Sequence, residues 1–231
     1  MKDIFDNYVE ASFDGKSQNA FKFKQFEYNY KKYFPADLSG PVLDIGVGRG
    51  EMLTCMRDWD FNYRGVDISP STIGYCKSLQ LNCELTENTS SWLKNNEDFF
   101  SLITCLDVLE HVPREETIEF LKSIRISLKK DGIAIIQVPN LQSPSGYLHH
   151  FNDFTHVSGY VEHSLAQVLI TSGFKDFKFY GFEENFPTNI KQGIRLTIRF
   201  FFRKLVRFLR MINGNPNPEI LDPVMFVVVR K

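Results

Sequence analysis

Asp44, Gly46, Gly48 and Gly50 follow one another at alternate positions, and an apolar run, Val42-Leu43-Asp44-Ile45, leads into them. A strand that ends in a glycine-rich turn and continues into a helix, here Glu51 to about Asp58, lets a ligand approach bare backbone. Glycine allows this because it lacks a Cβ and tolerates positive φ. The dinucleotide fingerprint G-x-G-x-x-G spaces its second and third glycines three apart and requires no acid before the first. This chain reads D-x-G-x-G-x-G instead. About twenty residues further on, where a carboxylate accepts both ribose hydroxyls, Phe61 to Ser69 reads as a second strand ending in Asp67. Together the acids and glycines point to a nucleoside-bearing cofactor. On their own they leave a dinucleotide, or a purely structural turn, open.

Two other groups of residues could do chemistry. Phe99 to Val112 reads as a buried strand ending near Cys105, with Asp107, Glu110 and His111 clustered just past it. Oxygen and imidazole ligands of this kind suit Mg²⁺ or a similar ion that polarises a hydroxyl. Tyr147 to Tyr160 holds His149, His150, Asp153 and His156 among aromatic residues, in a loop after the fifth strand. An imidazole titrates near working pH, so His156 or His150 could serve as general base with Asp153 orienting it. A satisfied loop histidine is the plainer alternative for any one of them.

These residues need elements to hold them. Strands and helices alternate from Pro41 to Phe182, the pattern of a doubly wound parallel α/β sheet with helices on both faces. Ser69-Pro70 starts one helix, with serine capping and proline in the first turn. Another ends in Lys129-Lys130-Asp131-Gly132, before a fifth strand expected over Ile133 to Val138 that runs into Pro139-Asn140. Residues 1–40 read as a helical cap or lid with an aromatic helix before Pro35, and 41–231 as the main domain. At 231 residues and 43% hydrophobic content the chain can bury a three-layer core without disulfides. Cys55, Cys76, Cys83 and Cys105 show no metal spacing and read as reduced thiols. The net charge of −1 gives no strong pull on nucleic acid. The N-terminus lacks the apolar run of a signal peptide, so a cytoplasmic protein is expected.

From Val42 to about Phe182 the motifs occur in a fixed order: Asp44 to Gly50, Gly65-Val66-Asp67, Leu109-Glu110-His111-Val112, Asp131-Gly132 and Val138-Pro139-Asn140. In this order they resemble the class I S-adenosylmethionine (SAM) methyltransferase superfamily. The resemblance implies a Rossmann-like seven-stranded sheet whose last strand, Pro223 to Val229 here, is antiparallel. It implies that Asp44, Gly46 and Gly48 hold the methionine part of SAM, Asp67 the ribose and Ile68 one face of the adenine, with Asn88, Thr89 and Leu106 completing the set. Asn88 stands where the family usually has Asp, though its amide oxygen still accepts a hydrogen bond. Val47 replaces a frequent Cys. Asp107-x-x-Glu110-His111 is similar to the divalent-metal site of the ubiquinone-biosynthesis O-methyltransferases. Leu-Glu-His-Val also occurs in superfamily members that bind no metal, so a metal is not the favoured expectation.

Asp153-Phe154-Thr155-His156, the following helix and Thr171-Ser172-Gly173-Phe174 resemble bacterial methyltransferases of surface-polysaccharide and lipopolysaccharide synthesis. That narrower resemblance implies O-methylation of a sugar hydroxyl on a glycan or its nucleotide- or lipid-linked precursor. The alternatives are a quinone- or phenol-type O-methyltransferase and a non-catalytic SAM-binding protein. Base methylation is disfavoured, since no Asn/Asp-Pro-Pro-aromatic motif follows strand four.

One stretch stands apart, an expected helical insertion at about 190–212. Lys191, Arg195, Arg199, Arg203, Lys204, Arg207 and Arg210 occur there with no acid, interleaved with Ile, Leu and Phe. On a helix most cations fall opposite most apolar residues, which suits a helix lying on an anionic membrane surface. A cap helix packed by its apolar side, with a solvated basic face, is the alternative.

Overall fold

The computed structural model describes residues 2–9, 18–36, 38, 40–183, 189–215 and 217–231. Part of the expected N-terminal cap (10–17) and Pro216 of the loop before the last strand lie outside these. The chain enters through α1 (Lys2–Asp6) and α2 (Ala20–Tyr30), and α2 is capped by Asn19, whose side chain accepts from the Phe21 N–H. The alternating part then runs β1 (Val42–Ile45), α3 (Glu51–Asp58), β2 (Tyr63–Asp67), α4 (Pro70–Ser78), β3 (Cys83–Leu85), α5 (Thr89–Lys94) and β4 (Phe100–Leu106). It continues through α6 (Thr117–Ser127), β5 (Leu128–Pro139), α7 (Gly146–Phe151), α8 (Glu162–Thr171), β6 (Asp176–Gly181), α9 (Ile190–Ile212) and β7 (Val224–Arg230).

The sheet order is β3-β2-β1-β4-β5-β7-β6, parallel except that β7 runs antiparallel to both neighbours, as the resemblance implied. Alternate side chains on each central strand feed two separate cores, one under each layer of helices. Ile103, Ala134, Ile136 and Val227 belong to one, and Leu102, Ile133, Ile135 and Phe226 to the other. This is the period-two consequence of a sheet buried on both faces. All four cysteines are buried and free.

Two expectations change. α6 ends at Ser127 rather than continuing to Lys129-Lys130, and β5 already pairs with β4 at Leu128. The buried Leu128 side chain holds that end in the sheet, and the register shifts between Phe100 and Leu102 while Asp131 takes a left-handed turn at φ 63°. The second concerns α9. Its arginines turn toward the domain: Arg199 pairs with Glu183 and Asp222, Arg203 with Asp222, and Arg207 and Arg210 donate to the carbonyl oxygens of Glu219 and Gln142. Its apolar side faces outward, the reverse of the packed-cap alternative. Among the described residues no helix is long and apolar enough to cross a membrane.

Candidate active site

β1 and β2 deliver their acids to one end of the sheet, beside the glycine turn. Gly46, Gly48 and Gly50 all have positive φ, and a Cβ on Gly46 would stand 2.2 Å from a Val108 methyl. That position therefore excludes any side chain on conformation and on space. The turn opens on a cavity of about 400 Å³ whose wall includes Asp44, Gly46, Gly48, Asp67, Ile68 and Leu106. Asn88 and Thr89 lie in an adjoining cavity, which shares Gly46, Asp67, Ile68 and His111 with the first. The eight residues expected to hold cofactor thus line two contiguous hollows.

Their electrostatics favour a ligand carrying a positive charge and hydroxyls. Asp44 is 2% exposed and accepts from Thr104 Oγ1 at 2.6 Å, yet burial pushes its carboxyl up to about 8. Among the described residues no cation pairs with this carboxyl, and an ammonium group would supply one. Burial likewise raises Asp67 to about 6, against the backbone N–H of Ser69 at 2.8 Å. Asn88 uses its amide oxygen to cap α5, accepting from the Ser91 N–H at 2.8 Å, so that oxygen is already engaged once.

The histidines are arranged as a layered group. His111 lines both cavities, whereas His156 stands behind it, ring centroids 4.6 Å apart, and His150 stacks on His156 at 5.3 Å. Burial and His156 lower His111 to about 4. Asp153 is held below the usual carboxylate range by hydrogen bonds that outweigh its burial, so it is ionised and can only accept. It accepts from the Thr155 hydroxyl at 2.6 Å and from Tyr8 at 2.9 Å. With its proton committed to Asp153, Thr155 Oγ1 must accept from His111 Nδ1 at 2.8 Å. The proton of neutral His111 therefore sits on Nδ1 and its Nε2 carries the lone pair. By the same logic His156 Nδ1 donates to the His150 carbonyl oxygen at 2.7 Å. Asp153 thus orients His111 through Thr155, rather than His156 or His150.

Asp107, Glu110 and His111 do not converge. Both Asp107 oxygens accept from Gln137 Nε2 at 3.0 Å, while Glu110 is fully buried, with an oxygen 3.9 Å from His156 Nε2. Burial raises the Glu110 carboxyl well above its ordinary value. Among the described residues, the donors that do approach within 4.8 Å of one another are those of His111, Asp153 and His156. Both Asp153 oxygens and His111 Nδ1 are hydrogen-bonded within this group, which orders the proton on the His111 imidazole.

Several residues of the cavity wall carry no site role in the sequence reading. Gln137 bridges the Asp107 carboxylate and the buried Tyr30 hydroxyl, which donates to Gln137 Oε1. Phe5 and Tyr8 close over His111 in edge-on contacts, and His149 lines the first cavity. Gln137 stands on an otherwise apolar strand, Ile133 to Val138, and a polar residue inside such a run was the available signal.

Residues 19–178 match the model of a family described as a methyltransferase domain. The chain is 31% identical over 103 residues to a ubiquinone biosynthesis O-methyltransferase of Rickettsia canadensis, covering 43% of this chain and 42% of that one. It is 32% identical over 108 residues to one of Glaesserella parasuis, covering 43% and 45%. The match thus spans less than half the length of these curated relatives. In fold it is similar to a SAM-dependent methyltransferase from Archaeoglobus fulgidus, with TM-score 0.71, 23% identity and coverage of 95% and 98%. It is also similar to one from Thermotoga maritima, with TM-score 0.66, 15% identity and full coverage of both chains.

Proposed function

The chain belongs to the methyltransferase-domain family, and from that premise we propose that it transfers the methyl group of SAM to the hydroxyl of a small quinone- or phenol-type acceptor. Asp44 pairs with the amino group of the cofactor, Asp67 with its ribose, and the backbone of Gly46 and Gly48 lies against the methionine part. Phe5, Tyr8, Phe26 and Phe182, all on the cavity wall or closing over it, suit a flat apolar acceptor. As the acceptor oxygen attacks, the O–CH₃ bond forms, the S–CH₃ bond breaks and His111 Nε2 takes the hydroxyl proton, leaving S-adenosylhomocysteine and the methyl ether.

The observation that carries this reading is the Asp153–Thr155–His111 chain at the cavity wall, because it fixes a neutral imidazole with its lone pair on Nε2. Burial and His156 leave His111 a weak base, at about 4, which suits the more acidic of the two candidate hydroxyls, a phenol at about 10, better than a sugar hydroxyl. Similarity to ubiquinone-biosynthesis enzymes supports the same choice, so the aromatic hydroxyl is placed ahead of the glycan hydroxyl.

The test is to incubate the purified protein with methyl-labelled SAM and either a catechol or a nucleotide-sugar, then follow label into methyl ether. Transfer to the catechol, abolished in His111→Asn with SAM binding intact, is the expected result. Label in the sugar would return the glycan reading to first place. SAM binding with no transfer to either compound would refute an O-methyltransferase role.

A further inference from the structure

The outward face of α9 is unlike the rest of the surface. Eleven large apolar side chains between Ile190 and Ile212 are each 45% to 84% exposed, and no residue of the helix is buried. At 100° per residue Ile194, Ile198, Phe201, Leu205, Phe208 and Ile212 fall within an arc of roughly 80°. Arg199, Arg203, Arg207 and Arg210 occupy the opposite side, tied to Glu183, Asp222, Glu219 and Gln142. The arginines therefore fasten the helix to the domain and hold the apolar stripe outward.

Three cations are left to border the stripe. Lys191 and Arg195 stand at one margin and Lys204 at the other; all three are exposed, and none forms an ion pair among the described residues. The helix contains no Asp or Glu. From this arrangement we propose that α9 docks the protein on an anionic lipid bilayer, lying in the interface with its apolar stripe among the acyl chains and its three rim cations at the headgroups.

Charge decides the occupant. A second copy packed on the same face by a two-fold axis would set this all-cationic rim against itself, since the stripe offers no acid to meet it. Anionic headgroups neutralise the rim instead. The basic anchor also sets depth: cations on both margins keep the helix parallel to the surface, where lysine and arginine stems extend toward the headgroups. The loop that receives Arg210, beginning at Gln142, leads into α7, and there Leu148, Phe151 and Phe154 are exposed too. This inference does not rest on the identity of the acceptor, and its failure would leave the methyl-transfer reading intact.

The experiment is flotation of the full chain with vesicles of phosphatidylcholine alone or of an equimolar mixture with phosphatidylglycerol. Two variants accompany it: Ile198→Gln/Phe201→Gln/Leu205→Gln on the stripe and Lys191→Glu/Lys204→Glu on the rim. Since all five side chains point to solvent, both variants should keep the wild-type Tm and SAM affinity. Expected is flotation with anionic vesicles only, lost in the stripe variant and weakened at least about twentyfold in the rim variant, at about fivefold per cation. Equal flotation with both vesicle types, or none with either, would overturn the proposal. So would a dimer in sedimentation that the stripe substitutions dissolve, because the face would then belong to a second copy.

Discussion

Replacing Asp44 by Asn removes the charge at the centre of the cofactor site while keeping its shape and its bond from Thr104. Because burial raises the folded carboxyl to about 8, the folded protein keeps this proton long after the unfolded chain, with its ordinary value of 3.8, has released it. The unfolded state thus binds fewer protons between those values, and stability falls as pH rises through the window. At 1.36 kcal/mol per unit the cost is about 2 kcal/mol at pH 5 and about 5 kcal/mol at pH 8. The neutral amide of the variant carries no such cost. Without cofactor, the Tm advantage of Asp44→Asn over wild type should therefore grow between pH 5 and pH 8 by on the order of 3 to 4 kcal/mol, or roughly 10 °C for a domain of this size. SAM reverses the ranking, since only wild type offers a carboxylate to the ammonium. A carboxyl with its midpoint near 8 is about nine-tenths protonated at pH 7, so binding should release close to one proton in wild type and none from this position in Asp44→Asn. Calorimetry in buffers of different ionisation enthalpy reads that proton directly. Parallel Tm curves for the two proteins across pH 5 to 8, or equal proton release, would refute both the buried neutral acid and its pairing with the cofactor.

Two further outcomes follow from the same site. Asp67→Ala should weaken SAM by roughly 1.5 to 3 kcal/mol, the range for hydrogen bonds to a charged group, and unchanged affinity by calorimetry would remove Asp67 from the site. The lowered folded value of His111, about 4, keeps it neutral above that pH, so at saturating SAM the methyl-transfer rate should show no His111-dependent loss from pH 8 down to about pH 5. A wild-type rate that falls with a midpoint near 6.5 would mean that the imidazole is not held neutral by its neighbours.

The central sheet was readable because its physics is local. Ile133 to Val138 and Val42 to Ile45 read as buried strands from short apolar, β-branched runs, and a glycine forced to φ 72° against Val108 declares itself in the sequence as Gly46. What the sequence withheld is set by long-range contact. Nothing local distinguishes His111 from His156 or His150; the distinction arises because Thr155, 44 residues away, sends its proton to Asp153 and leaves His111 Nδ1 to donate. The reach of Tyr30 to Gln137, across 107 residues, is equally invisible along the chain. α9 shows the limit most sharply. Its amphipathic period was plain, but period gives the angle between the two faces and not which one meets the protein. That choice was made by Glu183 and Asp222, two acids at the ends of β6 and β7 that draw the arginines inward. Gly181 makes room for one of them, since a Cβ there would stand 2.1 Å from an Asp222 oxygen. The orientation of the helix is therefore encoded by a glycine and two acids outside it, and the apolar face it presents is the consequence of where those acids sit.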